Sequence, residues 1–421
     1  MANQLTTGCC VVGGGPAGMM LGFLLARAGV DVVVLEKHAD FLRDFRGDTI
    51  HPSTLELMHE LGILSDFLAL PHQEVRELKA RFGGMELTFA DFTHLPTRCK
   101  FIALMPQWDF LNFLRERGAR YPGFHVLMQT AATDLIEEAG AVVGVRADAP
   151  EGTLEVRAAL VVGCDGRHSV VRQKAGLEVE SFGAPMDVLW FRVRRKPDDP
   201  DDTMGVFEAG HIFVVINRGD YWQCGYVIPK GSFEAVRRAG LTQFQVQLAR
   251  TMPLFADRAG ELADWNEIKL LTVAVDRLKR WYRRGLICIG DAAHTMSPVG
   301  GVGINLAVQD AVAAANILAQ PLLEGGIGEE VLRRVQERRE FPTRVIQRVQ
   351  VLVQERVITG VLGNRDKLEP PFLVKLLRAM PILCRIPARI VGIGVRPEHI
   401  RTPEAGRRED PRRGIPVSQV W

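Results

Sequence analysis

A chain of 421 residues has room for two or three domains and an ample core, and its 47% hydrophobic and 24% charged residues are those of an ordinary soluble globular protein. A net charge of +2 excludes a nucleic-acid binder that works by neutralising phosphates. Seven cysteines without a C-x-x-C pair and ten histidines without an H-x-x-x-H pair or Cys/His cluster leave no disulfide framework and no metal site in view, and point to reduced cytoplasmic thiols.

In chain order, Cys9 to Val12 form the apolar run of a buried parallel strand, and Gly13, Gly15 and Gly18 follow at G-x-G-x-x-G spacing. The first glycine permits a sharp turn, the second the approach of a pyrophosphate, and the third close packing of helix on strand. A helix from Met19 to Arg27 offers its free N-terminal N–H groups to phosphate, Pro16 suits its first turn, and Gly22 and Ala26 extend the close approach. A second strand, Val30–Leu35, ends on Glu36, about 20 residues past the loop, where an acid can hold ribose hydroxyls. Met1 to Ala26 carry no charge, yet three glycines and a proline break the run and no basic segment opens it, so it is neither signal peptide nor membrane span.

Ser53 reads as the N-cap of a helix over Thr54–Leu61, and Gly83-Gly84 as the turn of a hairpin between strand-like runs. A helix follows over Phe110–Arg120, then four strand signals and a second buried strand, Leu160–Gly163, ending on Cys164-Asp165-Gly166. Between Phe182 and Val275 the pattern turns antiparallel: Val188–Arg194, Phe207–Asn217 and Tyr221–Ile228 read as strands, Pro197–Asp202 as a solvated acidic loop, and Phe233–Met252 as helix. A third buried strand leads into Gly290-Asp291, the glycine-rich turn Pro298–Gly303 and a helix over Ile304–Leu318. A long Arg/Glu-laced helix spans Glu329–Leu362. These signals divide the chain into nucleotide-binding pieces at 1–75, 100–175 and 276–365, antiparallel pieces at 76–99 and 176–275, and a C-terminal helical segment with tail at 366–421.

The glycine loop, Cys164-Asp165-Gly166 and Gly290-Asp291-Ala-Ala-His294 with Pro298 closely resemble, in order and spacing, the motifs of the class A flavoprotein monooxygenases, the single-component aromatic hydroxylases of the para-hydroxybenzoate hydroxylase type. The resemblance covers roughly Cys9 to Gln320. It implies an α/β fold: an FAD-binding Rossmann-like domain of the glutathione reductase type, interleaved with an antiparallel β-sheet substrate domain, plus C-terminal helices. It implies FAD as resident cofactor and NADH or NADPH as a transient electron donor, since no second glycine fingerprint opens a nicotinamide domain. Carried over residue by residue, Gly13, Gly15, Pro16, Ala17 and Gly18 cradle the pyrophosphate, and Glu36, followed by Lys37, meets the adenosine ribose. Arg46 reaches the phosphates and flavin edge, Gln107, Gly290 and Asp291 hold the ribityl chain, and Asp165 and Gly166 contact FAD and NAD(P)H. Gly301 and Gly303 belong to the cofactor-binding set, and Ile304 and Asn305 present backbone N–H groups to flavin N1 and O2. Pro298 lies on the oxygen and substrate side, and His294 beside it is a structural neighbour of the Gly-Asp turn before it is an acid or base. Arg172 is a candidate for the NAD(P)H phosphates, or a solvated helix residue.

The implied reaction delivers one oxygen atom from a flavin C(4a)-hydroperoxide to an aromatic, polyketide-like or quinone-precursor substrate, with hydroxylation or epoxidation as outcome. A flavin-linked reductase or dehydrogenase acting on isoprenoids is the alternative. A halogenase is weaker, because Trp222 and Ile228-Pro229 match only part of the W-x-W-x-I-P motif and Cys224 stands at the second tryptophan. A non-enzymatic relative of the GDP-dissociation-inhibitor kind conflicts with the intact Gly290-Asp291 motif. Strand alternation puts Trp222, Cys224, Tyr226 and Ile228 on one face and Gln223, Gly225 and Val227 on the other, and leaves open which face lines the pocket. No thioredoxin-like domain follows. The apolar, arginine-dotted 371–395 segment either packs on the body, the favoured reading, or touches a membrane surface. The expected protein is a cytoplasmic monomer or homodimer, with peripheral membrane contact open and a mobile tail from Arg401 to Trp421.

Overall fold

Cys9, Cys10 and Val11 are fully buried because their strand, Asn3–Val12, lies inside a sheet with neighbours on both sides. In this computed structural model, which describes residues 3–42, 49–364, 368 and 370–406, that strand pairs in parallel with Gly152–Gly163 and Val32–Leu35. Leu286–Cys288 extends the parallel order on one side and Phe124–Leu127 on the other, and Ala131–Glu138 with Ala141–Ala149 adds an antiparallel flap, making eight strands with Tyr282–Arg283. Helices Pro16–Arg27, Gln107–Gly118 and Gly303–Glu324, with Leu135, Val142 and Val145 of the antiparallel flap, close one core around these strands, which is why they read as unbroken apolar runs rather than alternating ones. Helix Gly303–Glu324 is long and apolar enough to cross a membrane by composition, yet 83% of its apolar stretch is buried against the body.

The second sheet has seven strands in the order Lys269–Leu271, Met186–Arg194, Tyr221–Pro229, His211–Asn217, Met204–Glu208, Glu77–Phe82 and Met85–Asp91. Only the join between Met204–Glu208 and Glu77–Phe82 is parallel. Its two faces do different work. Leu189, Phe191, Phe213, Trp222, Cys224 and Tyr226 pack against Phe244, Leu248 and Phe255 of the helical layer outside the sheet. Val188, Ile212, Val227, Ala80 and Phe82 share a cluster with Val299, Ile358 and Val361, which lie toward the first sheet's helices. The alternation left open above is thereby decided: Trp222, Cys224, Tyr226 and Ile228 are core of the outer layer, and Gln223, Gly225 and Val227 face inward.

Several local expectations change. The helix expected from Thr54 is Pro52–Glu60 with His51 at its N-cap, and Ser53 bonds Asn305 instead of capping. The stretch 233–252 is two helices, broken at Gly240, whose φ of +96° no helix tolerates. The long C-terminal helix runs regularly to Val353 and continues through a π turn, Gln354–Ile358, into Thr359–Gly363. Helices Phe372–Ala379 and Arg385–Gly392 turn Val374, Leu377, Ala388 and Val391 into the body while Phe372, Ile382 and Ile386 stay exposed. Residues 402–405 of the tail are docked rather than loose: Arg27 Nη1 donates to Thr402 O at 2.8 Å, Tyr121 Oη to Glu404 at 3.0 Å, and Ala405 N to Arg27 O at 2.7 Å.

The acidic loop at 197–202 is not wholly solvated. Asp199 is buried, held by Arg258 through a two-point contact at 2.7 and 2.9 Å and by the Trp222 indole N–H at 2.8 Å. Burial pushes its carboxyl up, but the Arg258 fork and the Trp222 N–H outweigh burial and bring the pKa down to about 2. Hydropathy could not reveal this, because the partner lies 59 residues away. Asp199→Ala takes the two-point carboxylate partner from buried Arg258, leaving it the carbonyls of Arg194 and Leu254 and the edge of Asp257, and is expected to lower stability by about 3–5 kcal/mol, measured by urea unfolding. A folded pKa below the unfolded value means that the contribution is complete above about pH 4 and is lost as pH falls toward 2, so wild type and variant should converge in acid.

Candidate functional site

Three short sequences far apart in the chain meet where the parallel strands end. Gly13, at φ +107°, donates its N–H to Leu35 O at 2.8 Å, while Cys164 N donates to Val12 O at 2.7 Å and Ile289 N to Gly163 O at 3.0 Å. A Cβ on Gly13 would sit 2.5 Å from the Cys164 carbonyl oxygen, and one on Gly18 only 1.9 Å from Gly13 O. A Cβ on Gly290 would lie 3.0 Å from Ala17 Cβ, so the first motif touches both of the others. Gly15 differs: among the described residues nothing lies within 4 Å of its would-be Cβ. Two glycines are thus demanded by the fold, and the one between them, at the N-terminus of helix Pro16–Arg27, meets no described side chain. Gly22 continues the close approach, its would-be Cβ 2.7 Å from Val34. Glu36 is buried at the edge of this opening, its carboxylate accepting from Gly14 N and His38 N, each at 3.0 Å, while Lys37 is exposed.

The stretch 289–303 carries the third motif with little regular structure, so side chains must satisfy its backbone. One face of helix Glu329–Val353 does this. Gln347 Nε2 donates to Asp276 O at 2.8 Å and Thr295 O at 3.1 Å; Gln350 donates to Ser297 O and Val299 O, each at 2.9 Å, and accepts from Ser297 N at 3.1 Å. Gln354 donates to Ser297 Oγ at 2.6 Å. Higher on the same face Arg339 Nε donates to Asp310 Oδ1 at 2.8 Å; the other Asp310 oxygen accepts from Gly290 N at 3.1 Å and lies 2.5 Å from His294 Nε2. Burial pushes the Asp310 carboxyl up, but His294 and Arg339 outweigh it and hold the group below its usual range. Arg339 also reaches Glu398 at 3.3 Å, which joins the C-terminal strap to the motif.

The candidate residues are placed as follows. His294 is buried to 1% exposure in this network, beside the Gly-Asp turn. Pro298 opens the turn Val299–Gly301, half-buried, and Asp291 is half-buried in the turn Gly290–Ala292. Helix Gly303–Glu324 starts at the end of that glycine-rich run; Asn305 Oδ1 is taken by Ser53 and Thr54 hydroxyls at 2.6 and 2.9 Å, so the helix end offers backbone N–H groups of Ile304 and Asn305. Gln107 is half-buried at the first residue of helix Gln107–Gly118. Asp165 accepts from Ser169 Oγ at 2.5 Å and Val171 N at 3.2 Å, and burial pushes its carboxyl up; Gly166, at φ +83°, makes the turn. Arg172 is not a solvated helix residue but buried, 3.6 Å from Asp276 and donating to Arg167 O. Arg46 lies outside the described residues. His51 was not singled out from sequence: fully buried, it sets Nε2 2.9 Å from Gly301 O and Nδ1 2.7 Å from Val391 O, clamping the turn to a C-terminal helix. Its one sequence signal is its place before Pro52, which is common to many loops.

Glycine turn, acid at the second strand end and a helix N-terminus facing the same crevice define a dinucleotide-binding flavoprotein arrangement. A family model described as an FAD binding domain matches residues 6–349. The chain is 34% identical over 364 residues to the 6-methylpretetramide 4-monooxygenase of Streptomyces rimosus, covering 85% of this chain and 86% of that one. It is 30% identical to the dialkyldecalin synthase of Streptomyces rugosporus, over 72% of this chain and 63% of that protein, and so spans less than two thirds of that relative's length. The solved structure of the anhydrotetracycline hydroxylase from Streptomyces rimosus shares the fold, with a TM-score of 0.72 at 23% identity, covering 92% of this chain and 76% of that one. The chain belongs to the FAD binding domain family and is an FAD-dependent monooxygenase of the class A, aromatic hydroxylase type.

The residues present fit FAD, because the cradle at Gly15 and the first-turn N–H groups at Ile304 and Asn305 are unfilled by side chains among the described residues. Gly15→Ala therefore points a methyl into space that the chain leaves open. It is expected to leave the melting temperature of the apoprotein unchanged and to weaken FAD binding roughly tenfold or more, whereas Gly18→Ala lowers the melting temperature itself. Calorimetric FAD titration with thermal melts checks both. Gln350→Leu strips the partners from Ser297 N, Ser297 O and Val299 O and is expected to cost roughly 1–3 kcal/mol per buried group, read by chemical unfolding.

Proposed function

We propose that this monooxygenase hydroxylates an aromatic, polyketide-like substrate held between the inner face of the seven-stranded sheet and the Pro298–Gly303 turn. The observation that carries the reading is the shared apolar cluster in which Val188, Ile212, Val227 and Phe82 of that face meet Val299. The name of the Streptomyces rimosus relative, a 6-methylpretetramide 4-monooxygenase, supports the substrate class. When bound, FAD reduced by NADH or NADPH supplies the activation of oxygen.

In this reading Gly13, Gly15, Pro16, Ala17 and Gly18 receive the pyrophosphate, and Glu36 orients the adenosine ribose. Asp291 and Gln107 align the ribityl chain. Backbone N–H groups of Ile304 and Asn305, backed by the helix dipole, stabilise negative charge at the pyrimidine edge of the reduced ring. The inner sheet face and the Pro298 turn exclude water, which protects the oxygenating species from unproductive decay. His294, bonded to Asp310, keeps the Gly290-Asp291 turn in place and hands no proton to substrate.

FAD-loaded protein given NADH or NADPH and anhydrotetracycline under isotopically labelled oxygen is expected to form a product that carries one labelled oxygen atom, detected by mass spectrometry. Failure with every phenol tried, together with anaerobic reduction of a substrate double bond, would give the reaction to the reductase alternative.

A further inference from the structure

The register of the seven-stranded sheet places one row of inward-facing residues directly across its strands: Trp190 opposite Gly225, Gly225 opposite Val214, Val214 opposite Gly205, and Gly205 opposite Ala80. Directly opposed residues point to the same face, so this row is built from small residues with one large ring at its end. The row beside it, Val188, Val227, Ile212, Phe207 and Phe82, is bulky. The two glycines let neighbouring rings lie down. A Cβ on Gly225 would be 3.1 Å from the six-membered ring of Trp190, and a Cβ on Gly205 would be 3.0 Å from the ring of Phe207. Phe207 in turn stacks on Phe82 with centroids 4.2 Å apart and planes within 7° of parallel.

The result is an aromatic floor open in part: Trp190, Val214, Gly205 and Phe207 are half-buried, while Gly225, Ala80, Val188, Ile212, Val227 and Phe82 are buried. This is the face that shares its cluster with Val299 beside the Pro298 turn. One polar atom on the floor is unsatisfied. The indole Nε1 of Trp190 is buried and has no hydrogen-bond acceptor among the described residues, which is costly unless a ligand supplies one.

We propose that this floor binds a planar, fused-ring aromatic face-on, and that the Trp190 indole N–H donates a hydrogen bond to a phenol or carbonyl oxygen on that ring system. The proposal rests on the monooxygenase reading for its location and deepens it by naming what the site recognises. Stacking rewards area, so several fused rings gain over one; the indole donor rewards an oxygen at a fixed offset from the stacked plane.

Equilibrium dialysis of the FAD-loaded protein against anhydrotetracycline and against phenol tests it, since binding is read without turnover. Wild type is expected to bind the fused-ring probe at least tenfold more tightly than phenol. Trp190→Phe keeps a ring over Gly225 but loses the donor, and is expected to weaken the fused-ring probe roughly fivefold while leaving FAD content unchanged. Gly225→Val, which lifts the Trp190 ring, is expected to weaken it further. Equal binding of the fused-ring probe by wild type and Trp190→Phe overturns the proposal, as does equal affinity for the two probes in wild type. A protein that oxygenates phenol but shows no Trp190 dependence keeps the monooxygenase reading and loses the floor. A protein that forms no oxygenated product yet binds the probe through Trp190 keeps the floor and loses the reaction.

Discussion

The candidate site hangs on a stretch of backbone that cannot hold itself. Residues 289–303 turn from the end of a parallel strand to the start of helix Gly303–Glu324 through short turns and a two-residue strand, and their polar groups are buried. The polar stripe of helix Glu329–Val353 and its π turn takes up those groups: Gln347, Gln350 and Gln354, almost wholly buried, bond Thr295, Ser297 and Val299, and Arg339 pairs with the Asp310 that holds Gly290 N. Buried amides and a buried ion pair are expensive unless fully paired, and here they are paired to the segment that needs them. The inward face of this long helix is polar because its task is to dock on irregular backbone rather than on another apolar surface.

The same logic explains why three motifs separated by more than a hundred residues act as one. Contact between Gly13 and Cys164, and between Gly290 and Ala17, requires that none of the glycines carry a side chain, so the strand ends are drawn within backbone distance of each other. Once they are, the crevice outside the strand ends holds an open cradle at Gly15 and a helix N-terminus at Gly303, both polarised for an anionic ligand. The two sheets differ in what their faces meet. The antiparallel sheet's inner face is apolar and flat where glycines let Trp190 and Phe207 recline, and its outer face is sealed by helices. Asp199 with Arg258 and Trp222 fastens that outer layer from a loop whose composition suggests only solvent.

Much of this was legible in the chain itself. The glycine spacing, the apolar runs that precede Gly13, Asp165 and Gly290, and the Gly83-Gly84 hairpin turn are local features, and local sterics alone dictate them. Strand alternation sorted Trp222, Cys224 and Tyr226 from Gln223, Gly225 and Val227 correctly, because a pleat leaves no other choice. What could not be read depended on partners remote in sequence. Ser53 has the chemistry of a cap and serves Asn305; Arg172 has the look of a wet helix residue and is buried near Asp276; the tail around Glu404 looks loose and is pinned by Arg27 and Tyr121. The glutamines of the long helix stand in a 3.6-residue stripe that the sequence does display, but their abundance among arginines and glutamates masked it.

The sequence by itself determined the dinucleotide turn, the two kinds of sheet and the order in which they interleave, since each follows from backbone freedom at glycine and from the period of apolar residues. Only the tertiary structure decided which face of the antiparallel sheet looks toward the Pro298 turn, which buried charges are paired, and what holds that turn. Those are questions of which side chain finds which backbone group across long stretches of chain, and packing alone answers them.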